Sequence, residues 1–272
     1  MCRLYGFLAT EPTKVECTLV HAQNALMVQS RRDRAGLSHG HGWGVATYED
    51  HHPRIERQAW AAYHGEHFQR AAARIHSRTV LAHVRRATVG LPGLANTHPF
   101  GWKEWAFAHN GTIPRFAKLR KRMLETIAPE RRTLIKGETD SEHVFQLLLT
   151  LHEREPDLPL VEIVRQVVRL VVSWCEDMNA DSKVALNLML TNGEQLIGSR
   201  WGRTLFRVER EAIHDCEICG FPHVRHAPEQ QYRAIVVASE PISQEAWREV
   251  PDHSVYFVSP EMRLHIEPVA VS

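Results

Sequence analysis

The sequence lacks four things: a charge imbalance, a long unbroken apolar run, a glycine-rich phosphate loop and an even set of cysteines. Lys plus Arg number 33 against 32 Asp plus Glu, so no bulk field draws the chain to nucleic acid or to an anionic membrane. The longest apolar stretch, residues 160–174, is interrupted by Glu162, Arg165 and Arg169, which excludes it as a membrane span. The first residues are not followed by the apolar segment that a signal peptide needs. Without a Gly-rich loop, nothing points to a nucleotide or sugar-phosphate site. Hydrophobic residues at 43% exclude a disordered chain. No repeat or linker divides the 272 residues, a length that suits one large domain or two small ones. The five cysteines are an odd number in a chain too long for a small disulfide scaffold. They read as free thiols in a reducing cytoplasm. Cys17 and Cys175 have apolar neighbours and read as small packed hydrophobes.

What is present alternates between strand and helix patterns. Residues 2–9 read as a strand at the N-terminus, and 18–29 as a helix with Leu19, Ala22, Leu26 and Gln29 on one face. Residues 36–44 carry four glycines and read as a loop. Strands are expected at 43–48, 55–63, 79–85 and 105–109, a short helix at 67–76, and a Pro/Gly-rich loop over 90–101. Pro114 opens a basic amphipathic helix through Leu124. Residues 140–151 and 160–178 read as apolar-faced helices. Strands at 186–190 and 195–199 flank Asn192-Gly193, a hairpin signal. Further strands are expected at 204–209, 232–239 and 255–258. The mix points to an α+β fold of antiparallel sheets covered by helices.

Cys2 follows the initiator Met1. Removal of Met1 would give Cys2 a free α-amine, which titrates near about 7.7–8.0. One residue would then supply both nucleophile and base. On position alone, a cysteine after Met1 is better explained by chance. Downstream lie His83-Val84-Arg85-Arg86-Ala87-Thr88-Val89-Gly90, Asn96-Thr97-His98-Pro99-Phe100, Ala108-His109-Asn110-Gly111-Thr112-Ile113 and Gly137-Glu138-Thr139-Asp140-Ser141-Glu142. Each segment has a plain alternative: Asn110-Gly111 is a common turn, and Thr139 or Asp140 could cap a helix. His83 and His109 suit core or supporting positions.

Taken together and in order with Cys2, these segments resemble the glutaminase domain of class II glutamine amidotransferases, which belong to the N-terminal-nucleophile hydrolases. The resemblance implies a four-layer α-β-β-α sandwich, with one glutaminase-type domain over residues 1–272 starting at Cys2 in the mature chain. It implies that Cys2 attacks a γ-amide and that Arg85 grips the substrate α-carboxylate, as a guanidinium fork can. Asp140 would meet the α-ammonium. Asn110, through its side-chain amide, and Gly111, through its backbone N–H, would form the oxyanion hole. Thr88 and His98 would line or support the substrate site. The chemistry requires no cofactor.

Sugar-synthase glutaminases typically have Trp and His where this chain has Arg86 and Val89. The start Met1-Cys2-Arg3, the Gly42-Trp43-Gly44 loop and Ala87-Thr88-Val89-Gly90 look more like the stand-alone branch, which includes γ-glutamyl hydrolases of ergothioneine synthesis and glutathione breakdown. The expected partner is therefore a small γ-glutamyl compound, with residues 30–41 as a candidate lid over it. A homodimer, or a synthase that receives ammonia from this chain, is the alternative partner.

A second constellation is Cys216-Glu217-Ile218-Cys219-Gly220-Phe221-Pro222-His223-Val224-Arg225-His226. Cys216, Cys219, His223 and His226 supply enough ligands for one tetrahedral structural zinc. The short gap containing Pro222 departs from the usual finger spacing, so an incidental polar hairpin stands beside the zinc reading. A redox Cys-x-x-Cys lacks its helix start here. A non-catalytic, zinc-stapled interaction module is the remaining alternative for the whole chain.

Overall fold

A computed structural model describes residues 2–178, 183–224 and 231–270. In chain order the elements are β1 (Arg3–Lys14), a helical turn at Cys17–His21, α1 (Leu26–Arg31), β2 (Trp43–Glu49), β3 (His52–Gln58), α2 (His67–Arg74), β4 (His76–Val84), a 3-10 turn at Leu94–Asn96, β5 (Phe100–Trp102), β6 (Trp105–Thr112), α3 (Phe116–Thr126), α4 (Pro129–Arg132), α5 (Asp140–Arg154), α6 (Leu160–Asp177), β7 (Ala185–Thr191), β8 (Leu196–Arg200), β9 (Phe206–Arg210), β10 (Ala234–Ala238), β11 (Arg248–Glu249), β12 (Ser254–Val258) and β13 (Leu264–Pro268). One sheet runs β11-β9-β10-β1-β4-β2-β3 and the other β13-β12-β8-β7-β6-β5. All strand pairs are antiparallel.

Side-chain alternation explains the layering. On β1, Leu4 and Leu8 face the second sheet, where they join Ala106, Ala108, Met189 and Leu196. The alternate residues Tyr5 and Phe7 face outward and pack with Leu19, Leu26 and Phe68 from the turn, α1 and α2. On the other side, Phe107 and Leu188 point away from the first sheet and pack with Phe145, Ile163 and Val167 of α5 and α6. The result is helix, sheet, sheet, helix: the expected four-layer α-β-β-α sandwich. At Gly6 the sheets pack tightly, since a Cβ there would lie 2.3 Å from the Met189 sulfur. The Phe107 and Phe145 rings stack at 5.2 Å. Truncating either to Ala costs about 3–5 kcal/mol.

Several elements differ from the sequence expectation, for local reasons. The helix expected over 18–29 is two pieces. The first closes with Ala22 N donating to Cys17 O at 2.8 Å, and Asn24 donates across to Pro241 O at 2.7 Å. The local closing bond and the tertiary Asn24 bond break the helical run between Ala22 and Ala25. The strand expected at 55–63 begins earlier, at His52, because Asp50 and His51 both take positive φ and turn the chain tightly back. β1 continues past Pro12 to Lys14 through a register irregularity between Leu8 and Thr13. β5, β11 and β13 were not anticipated, being short or weakly apolar.

Candidate active site

The same alternation gathers the site at one end of the inter-sheet space. Cys2 shares Leu4's parity and so points toward the second sheet. Because β1 and β4 run antiparallel with Arg3 opposite Val84, the start of β1 lies beside the end of β4 and the loop after it. Cys2 Sγ there receives the Arg86 N–H at 3.3 Å and faces Arg86 O at 3.5 Å. The residue is 8% exposed. Burial pushes its thiol up, against the Arg86 N–H bond and the Arg85 charge, which favour the thiolate, while Asp140 opposes them.

Arg85 is buried, and its guanidinium donates to Leu91 O at 3.2 Å, Val89 O at 2.9 Å and Gly90 O at 3.2 Å. It forms no ion pair among the described residues. Asp140 opens α5. Thr139 caps that helix by accepting the Glu142 N–H at 3.2 Å. The Glu142 carboxylate reaches back to the N–H groups of Lys136 and Gly137. This anchored start holds the Asp140 carboxylate against Ile113 N at 2.8 Å and Ser141 N at 2.8 Å. Asp140 likewise has no cationic partner among the described residues. A guanidinium and a carboxylate, both buried and both within electrostatic reach of one thiol, present opposite charges that could receive a zwitterion.

From the second sheet, β6 contributes Asn110 and Gly111. Asn110 follows Ala106 and Ala108 in facing the first sheet, where its Nδ2 donates to Ser239 Oγ at 3.2 Å. Its Oδ1 is buried without a hydrogen-bond partner. Gly111 lies opposite Leu186, whose N–H and C=O are directed to the β8 side: the N–H goes to Trp201 O, and Ser199 Oγ donates to the C=O. Leu186 therefore offers Gly111 no ladder bond, and the Gly111 N–H points away from β7. A Cβ at 111 would sit 1.9 Å from Ala185 O, so only glycine fits.

Thr88 is exposed at the rim, with its hydroxyl 3.1 Å from that of Thr112. His98 is buried behind the site, its ring 4.2 Å from that of His83 and 4.6 Å from Phe100. Burial, reinforced by the neighbouring His83, keeps the His98 imidazole well below its usual range. Neither His98 ring nitrogen has a hydrogen-bond partner among the described residues.

Motif reading passed over the groups that hold Cys2 in place. Arg3 is buried and donates to Cys2 O at 2.9 Å, to Glu240 Oε1 at 2.7 Å and to Asp33 Oδ2 at 2.5 Å. Asp33 also accepts from His39 Nε2 at 2.9 Å. Removing one member of such a buried network costs about 3–5 kcal/mol, because the others stay charged and unpaired. The only trace in the sequence is the basic residue directly after Cys2; Asp33, His39 and Glu240 come from distant segments. The same bonds anchor residues 30–41, the candidate lid, through buried Asp33 and His39. His41 adds two more: its N–H donates to Arg85 O, and its Nδ1 accepts from Ala87 N at 2.9 Å.

The second constellation is joined by one residue that the sequence did not single out. Cys216, Cys219 and His223 do come together, but their fourth neighbour is Cys17: one ligand atom from each lies within 4.8 Å of the others. Cys17 was expected only to pack. Its position at the start of the turn after β1, a feature of tertiary folding, brings it there. His226 lies outside the described residues. Cys175 lies on α6 and is buried in the core it shares with α5, as expected.

The sequence profile of class II glutamine amidotransferases matches residues 1–267. The chain belongs to that family, which places it among amidohydrolases. It is similar to the probable glutamine amidotransferase DUG3 of Saccharomyces cerevisiae, with 28% identity over 94% of this chain and 81% of that protein. It is also similar to the γ-glutamyl-hercynylcysteine sulfoxide hydrolase of Mycobacterium tuberculosis, at 27% identity over 95% of this chain and 93% of that one. In fold it matches a class II glutamine aminotransferase domain protein from Silicibacter pomeroyi, with a TM-score of 0.64 and 20% identity over 99% of this chain and 100% of that one. The Bacillus subtilis glutamine phosphoribosylpyrophosphate amidotransferase matches with a TM-score of 0.63 at 16% identity, covering 100% of this chain and 50% of that one. Among the described residues, no helix is long and apolar enough to cross a membrane.

Proposed function

We propose that the chain is a single-domain γ-glutamyl amidohydrolase that works through a Cys2 thioester on glutamine or a larger γ-glutamyl amide. The convergence of Cys2, Arg85, Asp140, Asn110 and Gly111 at one end of the sandwich carries this reading. Arg85 takes the substrate α-carboxylate and Asp140 its α-ammonium, which leaves the γ-carbonyl toward Cys2. With Met1 removed, Cys2 Sγ attacks the carbonyl carbon while its α-amine receives the thiol proton. The negative oxygen is met by the Gly111 N–H and the Asn110 amide. A half-turn of that amide lets the Ser239 hydroxyl donate to Oδ1 and frees Nδ2 for the oxyanion, which satisfies the atom now lacking a partner. The C–N bond then breaks and the proton passes from the α-amine to the departing nitrogen. Water attacks the thioester, the α-amine takes its proton, and glutamate leaves as the thiol is restored. No step calls for a metal or organic cofactor.

The relatives that act on γ-glutamyl compounds favour an amide with a leaving group larger than ammonia, whose pocket sets specificity. The test is to incubate processed protein with a panel of γ-glutamyl amides and follow glutamate release. Turnover of at least one member, lost in Cys2→Ala and in a variant that retains Met1, is expected. Full activity in either variant would overturn the reading. Turnover of glutamine alone, rising when a synthase is added, would replace it with ammonia delivery.

A further inference from the structure

We propose that Cys17, Cys216, Cys219 and His223 bind one structural zinc ion, which staples the segment 211–224 to the far end of β1. The four ligand atoms lie within 4.8 Å of one another, and Cys219 Sγ is already 3.4 Å from His223 Nε2. Ligands at about 2.0–2.3 Å from zinc in a tetrahedron stand roughly 3.3–3.8 Å apart, so a small contraction closes the site. Three sulfurs and an imidazole suit zinc and exclude magnesium or calcium, which want oxygen. Four protein ligands leave no open position, which marks the site as structural rather than catalytic.

Hydrogen bonds of the chain itself shape the scaffold around the donors. Gly220, at φ 73°, donates to Cys216 O at 2.8 Å, and Cys216 N donates to Phe221 O at 3.1 Å, closing a tight knuckle. The Ile218 N–H points at Cys216 Sγ at 3.4 Å, a bond that favours a thiolate ligand. Lys14 N donates to His223 O at 3.0 Å, and Thr13 bridges Val224. These bonds fix the imidazole next to Cys17, which follows β1 directly.

The segment also needs a staple. Ile213 and Val224 pack on the core near its ends, but between them Ile218 is 41% exposed and Phe221 71% exposed, so the knuckle has little apolar burial to hold it. A metal can supply folding energy where a core cannot. Cys2 lies at the opposite end of β1, roughly 40 Å of strand away. The ion is therefore expected to govern the integrity of this end of the molecule and to leave Cys2 untouched.

The test is elemental mass spectrometry on full-length protein purified without chelator, followed by cobalt substitution. One zinc per chain is expected, and the cobalt form should show intense thiolate charge-transfer absorption with tetrahedral d–d bands. Cys219→Ser, at an exposed position, should lose the zinc and hasten proteolysis within 211–224 by at least about tenfold. Cys17→Ser should lose the zinc as well. Metal-free protein that gives no cobalt bands would overturn the proposal. So would a disulfide among Cys17, Cys216 and Cys219, or full zinc retained in Cys17→Ser.

Discussion

The two ends of β1 present cysteine in opposite settings. At the start, Cys2 is a single buried sulfur whose neighbours are a backbone N–H and two opposite charges that pair with no other charged group among the described residues. At the finish, Cys17 faces two other sulfurs and an imidazole, and the nearby charges of Lys14 and Glu16 pair with each other. A nucleophile needs its sulfur unengaged and its surroundings aimed at a substrate. A metal site needs its donors aimed at one another. Residue type alone does not separate these roles; the layer and strand end on which each cysteine falls does.

The sharpest way to break this comparison is to exchange the consequences. Cys2→Ala should lower γ-glutamyl hydrolysis by at least about a thousandfold, with zinc content and circular dichroism unchanged. Cys219→Ser should do the reverse and leave kcat near that of the unaltered protein. Equal losses of activity in both variants would mean that the two ends are not independent. Next in size is Asn110→Ala, for which a fall of about a hundred- to thousandfold in kcat is expected, with a smaller change in KM. A loss confined to KM would show that Asn110 binds the ground state rather than the oxyanion.

A smaller effect separates the ends by stability. Chelation or Cys219→Ser should lower the Tm by several degrees, on the order of 1–3 kcal/mol in a chain of this size. An unchanged Tm would leave the Cys17 end as mere packing. The smallest effect belongs to the Cys2 end. Burial, with Arg3 adding to it against the Asp33 bond, holds the His39 imidazole down at about 4. The unfolded chain takes that proton near about 6.5. Stability from this site is thus complete above about pH 6.5 and drains as pH falls toward 4, by up to about 3 kcal/mol. His39→Gln should flatten the Tm-against-pH curve over that window. A curve identical to that of the unaltered protein would contradict the assignment.

The layers were legible because strand alternation and the apolar faces of α5 and α6 are strong local patterns. The segments around Arg85, Asn110 and Asp140 could be read only as an ordered set, through their resemblance to a known family. Taken alone, Asn110-Gly111 suggests a turn, yet it lies within β6. What stayed hidden was set by contacts between distant segments. Cys17 looked like any apolar-flanked thiol, since its three partners come from another part of the chain. Arg3, Asp33, His39 and Glu240 each look like ordinary polar positions until the fold buries them on one another. The Asp50-His51 turn was missed because neither residue is glycine.

The most direct test of the central claim is to quench a turnover reaction in acid and map any γ-glutamyl adduct by mass spectrometry. The account predicts an N-terminal peptide that begins at Cys2, without Met1, and bears one γ-glutamyl group on the Cys2 sulfur. Turnover with Met1 still in place, or an adduct on any other cysteine, would contradict it.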